Sequence, residues 1–84
     1  MKDFIEYLIK QIVTHPDDVK IEEKRSEEDS QIGYYITVSP EDMGIVIGKE
    51  GRTIKSLRAL ARAKAIKDGI RINLELVESG DANL

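Results

Sequence analysis

Residues 47–52 read Ile-Gly-Lys-Glu-Gly-Arg, and two glycines three positions apart around a lysine suit one kind of chemistry, the gripping of an anion. Glycine lets the chain turn sharply and removes the side chain that would hold a ligand off the backbone. A helix that starts at the second glycine directs its first N–H groups and its dipole back into the turn, where a phosphate is favoured. Lys49 in the turn and Arg52 in the first helical turn can both reach such a phosphate. Taken by themselves, the two glycines say little. Glycine makes up roughly 7% of residues, and Gly48 also fits a helix cap that only bends the chain.

The surroundings favour the grip. From Lys49 to Arg71 there are eight basic residues (Lys49, Arg52, Lys55, Arg58, Arg62, Lys64, Lys67 and Arg71) against the acids Glu50 and Asp68, a local charge of +6. The chain as a whole carries −3, so the remainder holds −9, and this asymmetry points to a polyanion partner. At about 100° per residue with Arg52 at zero, Lys55, Arg58 and Arg62 fall near 300°, 240° and 280°, while Ile54, Leu57, Leu60, Ala61 and Ala65 fall between about 80° and 220°. The spacing therefore predicts a helix with one core face and a separate basic stripe that begins at the glycine turn. Lys64 and Lys67 lie off the stripe and read as solvated. A Walker A loop is a poorer fit. Gly44 and Gly48 are separated by three residues instead of four, Glu50 stands where Ser or Thr is needed, and the segment before the turn reads as a helix.

The elements that must position this turn follow from periodicity. Phe4, Ile5, Leu8, Ile9, Ile12 and Val13 have helical spacing, Asp3 is a candidate N-cap and His15-Pro16 a stop, giving a helix over 3–14. Val19 to Glu22 alternates as a strand, residues 23–31 read as a charged hairpin loop, and 32–38 alternate as a clearer strand. Ser39-Pro40-Glu41-Asp42 is a strong helix start, for a short helix over 40–47. A longer helix runs from the turn to Asp68, Gly69 ends it, and 70–76 alternate as a third strand. Residues 78–84 read as a flexible tail after a single domain over 1–77.

Composition removes several function classes. An 84-residue chain has little room for a deep enclosed site. It has no cysteine and a single histidine, His15, so neither a thiolate nor a histidine metal site is expected, and no cofactor. The N-terminus lacks the features of a signal peptide and no run is long enough to cross a membrane, so a cytoplasmic location is expected. His15 reads as a helix-end residue, Asp17-Asp18 and Glu22-Glu23 as turn or exposed strand residues. No serine or threonine has a recognisable base partner, so an enzyme is not expected. Tyr34 shares the parity of Ile32 and Ile36 and belongs to the core; Tyr35 faces the other side as a half-exposed strand residue.

The segment 45–58, Ile-Val-Ile-Gly-Lys-Glu-Gly-Arg-Thr-Ile-Lys-Ser-Leu-Arg, resembles the I-G-K-x-G-x-x-I-x-x-L core of the KH domain, with Ile54 and Leu57 at the two apolar anchors. The order helix, strand, strand, helix, helix, strand is that of the type II, bacterial-style KH fold. The chain resembles small bacterial single-KH proteins over roughly residues 1–77. The resemblance implies an α+β fold, α-β-β-α-α-β, with a three-stranded mixed sheet and its helices packed on one face. It also implies that Gly48, Lys49, Glu50 and Gly51 clamp the backbone of about four single-stranded RNA nucleotides. Arg52 and Lys55 would flank the clamp, with Arg58 and Arg62 of the basic stripe as further RNA-binding candidates, and Ile45, Ile47 and Ile54 are candidates for an apolar floor under the bases, some of them belonging to the core instead. Glu50 departs from an ideal phosphate clamp and Lys49 offsets it. One such site binds weakly, so avidity is needed. The resemblance implies a homodimer or a heteromer with a larger KH protein of the KhpB/Jag type, and a role in post-transcriptional regulation or as an RNA chaperone. The alternative is a KH-fold interaction module that binds little RNA, which the acidic remainder of the chain and an open sheet face would suit.

Overall fold

A computed structural model describes residues 1–28 and 30–77; the expected tail at 78–84 lies outside the described residues. The order is α1 (Lys2–Lys10), β1 (Lys20–Ser26), β2 (Gln31–Thr37), α2 (Met43–Ile47), α3 (Arg52–Asp68) and β3 (Arg71–Val77), with 3-10 turns at Pro16–Asp18, Pro40–Asp42 and Lys49–Gly51. β2 is central. It pairs antiparallel with β1, Ile21 opposite Ile36, and parallel with β3, Tyr34 opposite Leu74. This is the mixed sheet and element order of a type II KH fold.

Strand parity separates the two faces of the sheet. Ile21, Tyr34, Ile36, Ile72 and Leu74 are buried on one face, in a cluster with Ile5 and Ile9 of α1, Val46 of α2, and Ile54, Leu57, Ala61 and Ala65 of α3. All three helices therefore share that face. The other face carries Lys20, Glu22, Lys24, Tyr35, Thr37, Asn73 and Glu75, none of them buried. Tyr34 is in the core as its parity requires. Burial pushes its hydroxyl pKa up, and the charge and hydrogen bond of Glu23, its cross-strand partner, add to the shift.

Two boundaries differ from the sequence expectation. β1 continues through Glu23, Lys24 and Arg25 to Ser26, where a loop was expected, and only Ile21 within it is buried. Pairing with β2 makes this stretch a strand although little of it is covered. Its charged side chains suit a sheet edge, which charge protects from further pairing. The hairpin loop is correspondingly short. α1 begins at Lys2, one residue before the expected cap Asp3, and ends at Lys10 instead of 14. After Lys10 the amides of Gln11, Ile12 and Val13 close a turn on Leu8 O and Ile9 O, and the chain beyond it is held by Asp42. This residue was expected as an acid of a first helical turn, and it is fully buried. Its carboxylate accepts from the backbone N–H of Thr14 at 3.0 Å and of His15 at 2.9 Å, and from the Thr14 hydroxyl at 2.7 Å. The Thr14 and His15 amides are thus drawn to Asp42 instead of continuing the helix. Leu60 also departs from expectation. It lies at the margin of the α3 core arc and is 51% exposed.

Burial alone would push the Asp42 pKa up. The hydrogen bonds from Thr14 and His15 outweigh it, and the pKa is lowered. A carboxyl whose folded pKa lies below its unfolded one adds stability above the unfolded value and loses it as the pH falls through the folded value. Asp42→Asn is therefore expected to melt roughly 5–10 °C lower at pH 7. The gap to the native chain should shrink as the pH falls below about 4. Thermal unfolding at several pH values checks this; a pH-independent gap would contradict the assignment.

Candidate nucleic-acid interface

Ser39 opens the segment that leads to the glycine turn. Its hydroxyl accepts from the Glu41 N–H at 3.4 Å, and Pro40 follows where a missing N–H costs nothing. α2 then runs for only five residues, closed by the Gly48 N–H donating to Gly44 O at 2.8 Å. Val46 faces the core, while Ile45 and Ile47 are 42% and 39% exposed.

The two glycines of the turn are needed for different reasons. Gly48 has φ 76° and ψ 171°, and a Cβ built there would fall 2.6 Å from the Thr53 Cβ and 2.8 Å from its backbone N. It is the point where the chain passes against the start of α3, and no side chain fits. Gly51, at φ 75° and ψ 15°, is left-handed, yet a Cβ there would meet nothing within 4 Å. Its backbone borders open space. Between them, Lys49 and Glu50 are exposed, and Glu50 takes the left-handed conformation at φ 56°. The turn uses some of its own amides: Gly51 N–H donates to Gly48 O at 3.1 Å and Arg52 N–H to Lys49 O. The helix start is thus less open to an anion than the sequence suggested, and the open side of the turn is that of Gly51 and the exposed Lys49.

α3 carries the flanking cations. Ile54 and Leu57 are buried, so Ile54 belongs to the core and not to an exposed floor, leaving Ile45 and Ile47 as the exposed apolar candidates. Arg52 and Glu50 approach to 3.8 Å, an exposed pair that answers the Glu50 charge locally. Arg58 is half-buried and its Nε donates to Leu74 O at 3.1 Å, which ties α3 to β3 and holds the guanidinium in place. Lys64 pairs with Asp68 at 3.1 Å and sits 5.8 Å from the Phe4 ring. Lys24 and Arg25 of β1 likewise have acid partners. Lys49, Lys55 and Arg62, by contrast, have no carboxylate within ion-pair distance among the described residues. Lys2, Lys20 and Lys67 likewise lack an acid partner among the described residues, so what distinguishes Lys49, Lys55 and Arg62 is their place along the turn and α3.

Sequence reasoning placed the turn and the stripe. It missed that Arg58 is engaged by a backbone carbonyl, and that Asp42 anchors the segment before α2. Its expectation for Tyr35 fits the outer face: the ring lies over Gly33, where an added Cβ would come 3.1 Å from Cε2, and Lys24 sits 5.2 Å from the ring centroid. This is packing within the sheet. Among the described residues no helix is long and apolar enough to cross a membrane.

Known proteins resemble this chain over nearly its whole length. The family model for the KhpA/KhpB KH domain matches residues 2–76. The RNA-binding protein KhpA of Chlamydia caviae is 42% identical over 78 residues, which cover 93% of this chain and 97% of that one. The proteins of the same name from Clostridium perfringens and Listeria monocytogenes are each 42% identical, over 92% and 93% of this chain and the whole of theirs. The names of these relatives describe RNA binding. The chain belongs to the KhpA/KhpB family of KH-domain proteins.

Proposed function

We propose that residues 1–77 act as one KH unit that binds single-stranded RNA, with Gly48–Gly51 clamping the backbone of about four nucleotides. The observation that carries the reading is the split between the glycines: Gly48 is filled by Thr53, whereas Gly51 leaves its backbone facing open space beside Lys49, a cation without an acid partner among the described residues. Ile45 and Ile47 offer apolar surface to the bases, and Arg52 and Lys55 continue the phosphate path. The curated relatives are named as RNA-binding proteins, which supports the same ligand class. A clamp this small is weak alone, so it works by avidity, through self-association or with a larger KH protein of the KhpB/Jag type. Such a module acts on cytoplasmic RNA, in post-transcriptional control or as an RNA chaperone.

Two experiments test this. Lys49→Asp combined with Glu50→Asp removes the one cation of the Gly48–Gly51 loop and makes a neutral loop acidic, and Asp is tolerated in the left-handed conformation at 50. RNA crosslinking in cells should be lost while the melting temperature stays within about 3 °C of the native chain. Undiminished crosslinking would remove the clamp assignment and leave the interaction-module alternative. The second test separates gripping from bending. Gly51→Ala should cost only about 1–2 kcal/mol of stability, yet weaken RNA binding out of proportion. Gly48→Ala should lose more than about 2 kcal/mol because strain and clash combine. Titration with an oligonucleotide and chemical denaturation measure the two quantities; equal effects on both glycines would count against the reading.

A further inference from the structure

The basic stripe does not end near the clamp. Arg62 lies ten residues beyond Arg52, about 15 Å along the helix. Beside it, where α3 gives way to β3, is an open trough of about 300 Å³ lined by Gln31, Arg62, Ile66, Ile70, Arg71 and Ile72 among others. Two features of this trough are unexplained by the fold. Ile66 is 78% exposed, the most exposed large apolar side chain among the described residues, and it lies at about 320° on α3, in line with Lys55 and Arg62. Arg71, like Arg62, has no carboxylate within ion-pair distance among the described residues, although acids partner Lys24, Arg25, Arg52 and Lys64. The trough thus brings together an exposed apolar side chain and two arginines without acid partners, Arg62 from α3 and Arg71 from the first position of β3, and so offers a nucleotide an apolar surface for the base and guanidinium groups for its phosphates.

We propose that this trough is a second nucleotide-binding subsite, which takes the continuation of the RNA strand held by the Gly48–Gly51 clamp. The inference rests on the RNA reading above. Lys55 bridges the two subsites along the stripe. The bound segment is then longer than the roughly four nucleotides of a KH clamp, by about two or three. The far side of the trough sets its limit. A neighbouring trough of about 520 Å³ adds Arg25 and Glu27, but Arg25 is already paired with Glu23 at 3.2 Å, and Glu27 and Glu28 occupy the hairpin beyond. The track ends where the acids begin.

The test compares labelled single-stranded RNA of four, six, eight and ten nucleotides, bound to the native chain and to the chain carrying Ile66→Ser with Arg71→Gln. Both positions are exposed, so the fold tolerates the changes. The native chain should gain about tenfold in affinity between four and eight nucleotides and little thereafter. The double variant should bind the four-nucleotide RNA as the native chain does and lose that gain. Its dependence on salt for the longer RNA should weaken by about 0.7, one phosphate's worth. A native affinity that does not rise beyond four nucleotides would overturn the second subsite and leave the clamp standing. So would a gain that survives the double variant, which would belong instead to a second copy of the chain on the same RNA. Failure to bind any length would overturn the clamp as well.

Discussion

The site depends on one close approach, that of the Gly48 backbone to Thr53. A Cβ at 48 would lie 2.8 Å from the Thr53 backbone nitrogen, so the turn closes only because that atom is missing. The close passage lets α2, five residues long, hand over to α3 through a single 3-10 turn, and it pushes Lys49 and Glu50 outward. It also sets which side of α3 meets the sheet. With Ile54, Leu57, Ala61 and Ala65 turned into the core, Lys55 and Arg62 are left facing water. The bend and the proposed grip thus share one construction.

A second constraint holds the approach to that turn. Asp42 stands directly before α2, and its buried carboxylate binds the residues that follow α1. A buried charge is costly unless it is hydrogen-bonded, and here backbone N–H groups and a hydroxyl satisfy it. The link ties the residues after the first helix to the segment that leads into the glycine turn, across 28 positions of sequence. At the other end of the helical layer, Arg58 joins α3 to β3 through Leu74 O, and the bonds from Gly69 N–H to Ile66 O and Ile70 N–H to Ala65 O end α3 in a Schellman motif. The basic helix is therefore fixed at its start, middle and end, the rigidity that the proposed RNA site requires.

Much of this was legible in the residues. The alternation in 32–38 and 70–76, the serine–proline start at 39–40 and Gly69 mark elements by local physics, and the structure has them within a residue or two. The glycine turn and the basic stripe were legible for the same reason, since both depend on spacing along one short segment. What escaped depends on distant partners. β1 beyond Glu22 has no apolar alternation and is a strand only because β2 lies beside it. The early end of α1 could not be read from residues 11–14: the amides of Gln11, Ile12 and Val13 close a turn on Leu8 O and Ile9 O, and that of Thr14 goes to the distant Asp42. Leu60 has the spacing of a core residue, but the core arc of α3 is narrower than a helical wheel suggests when small Ala61 and Ala65 bring the helix close to its neighbours. Arg58 looks on the wheel like any cation of the stripe; only the position of the Leu74 carbonyl distinguishes it.

The central claim is that RNA lies on the clamp side of the molecule and not on the open sheet face around Tyr35. The most direct measurement is the change in backbone amide NMR shifts when a four-nucleotide single-stranded RNA is titrated into the native chain. The account predicts that the largest changes fall on 47–53, with smaller ones at Lys55, while Glu22, Lys24, Tyr35 and Asn73 stay unchanged. Changes centred on Tyr35 and its neighbours on the outer face, with 47–53 unmoved, would contradict it.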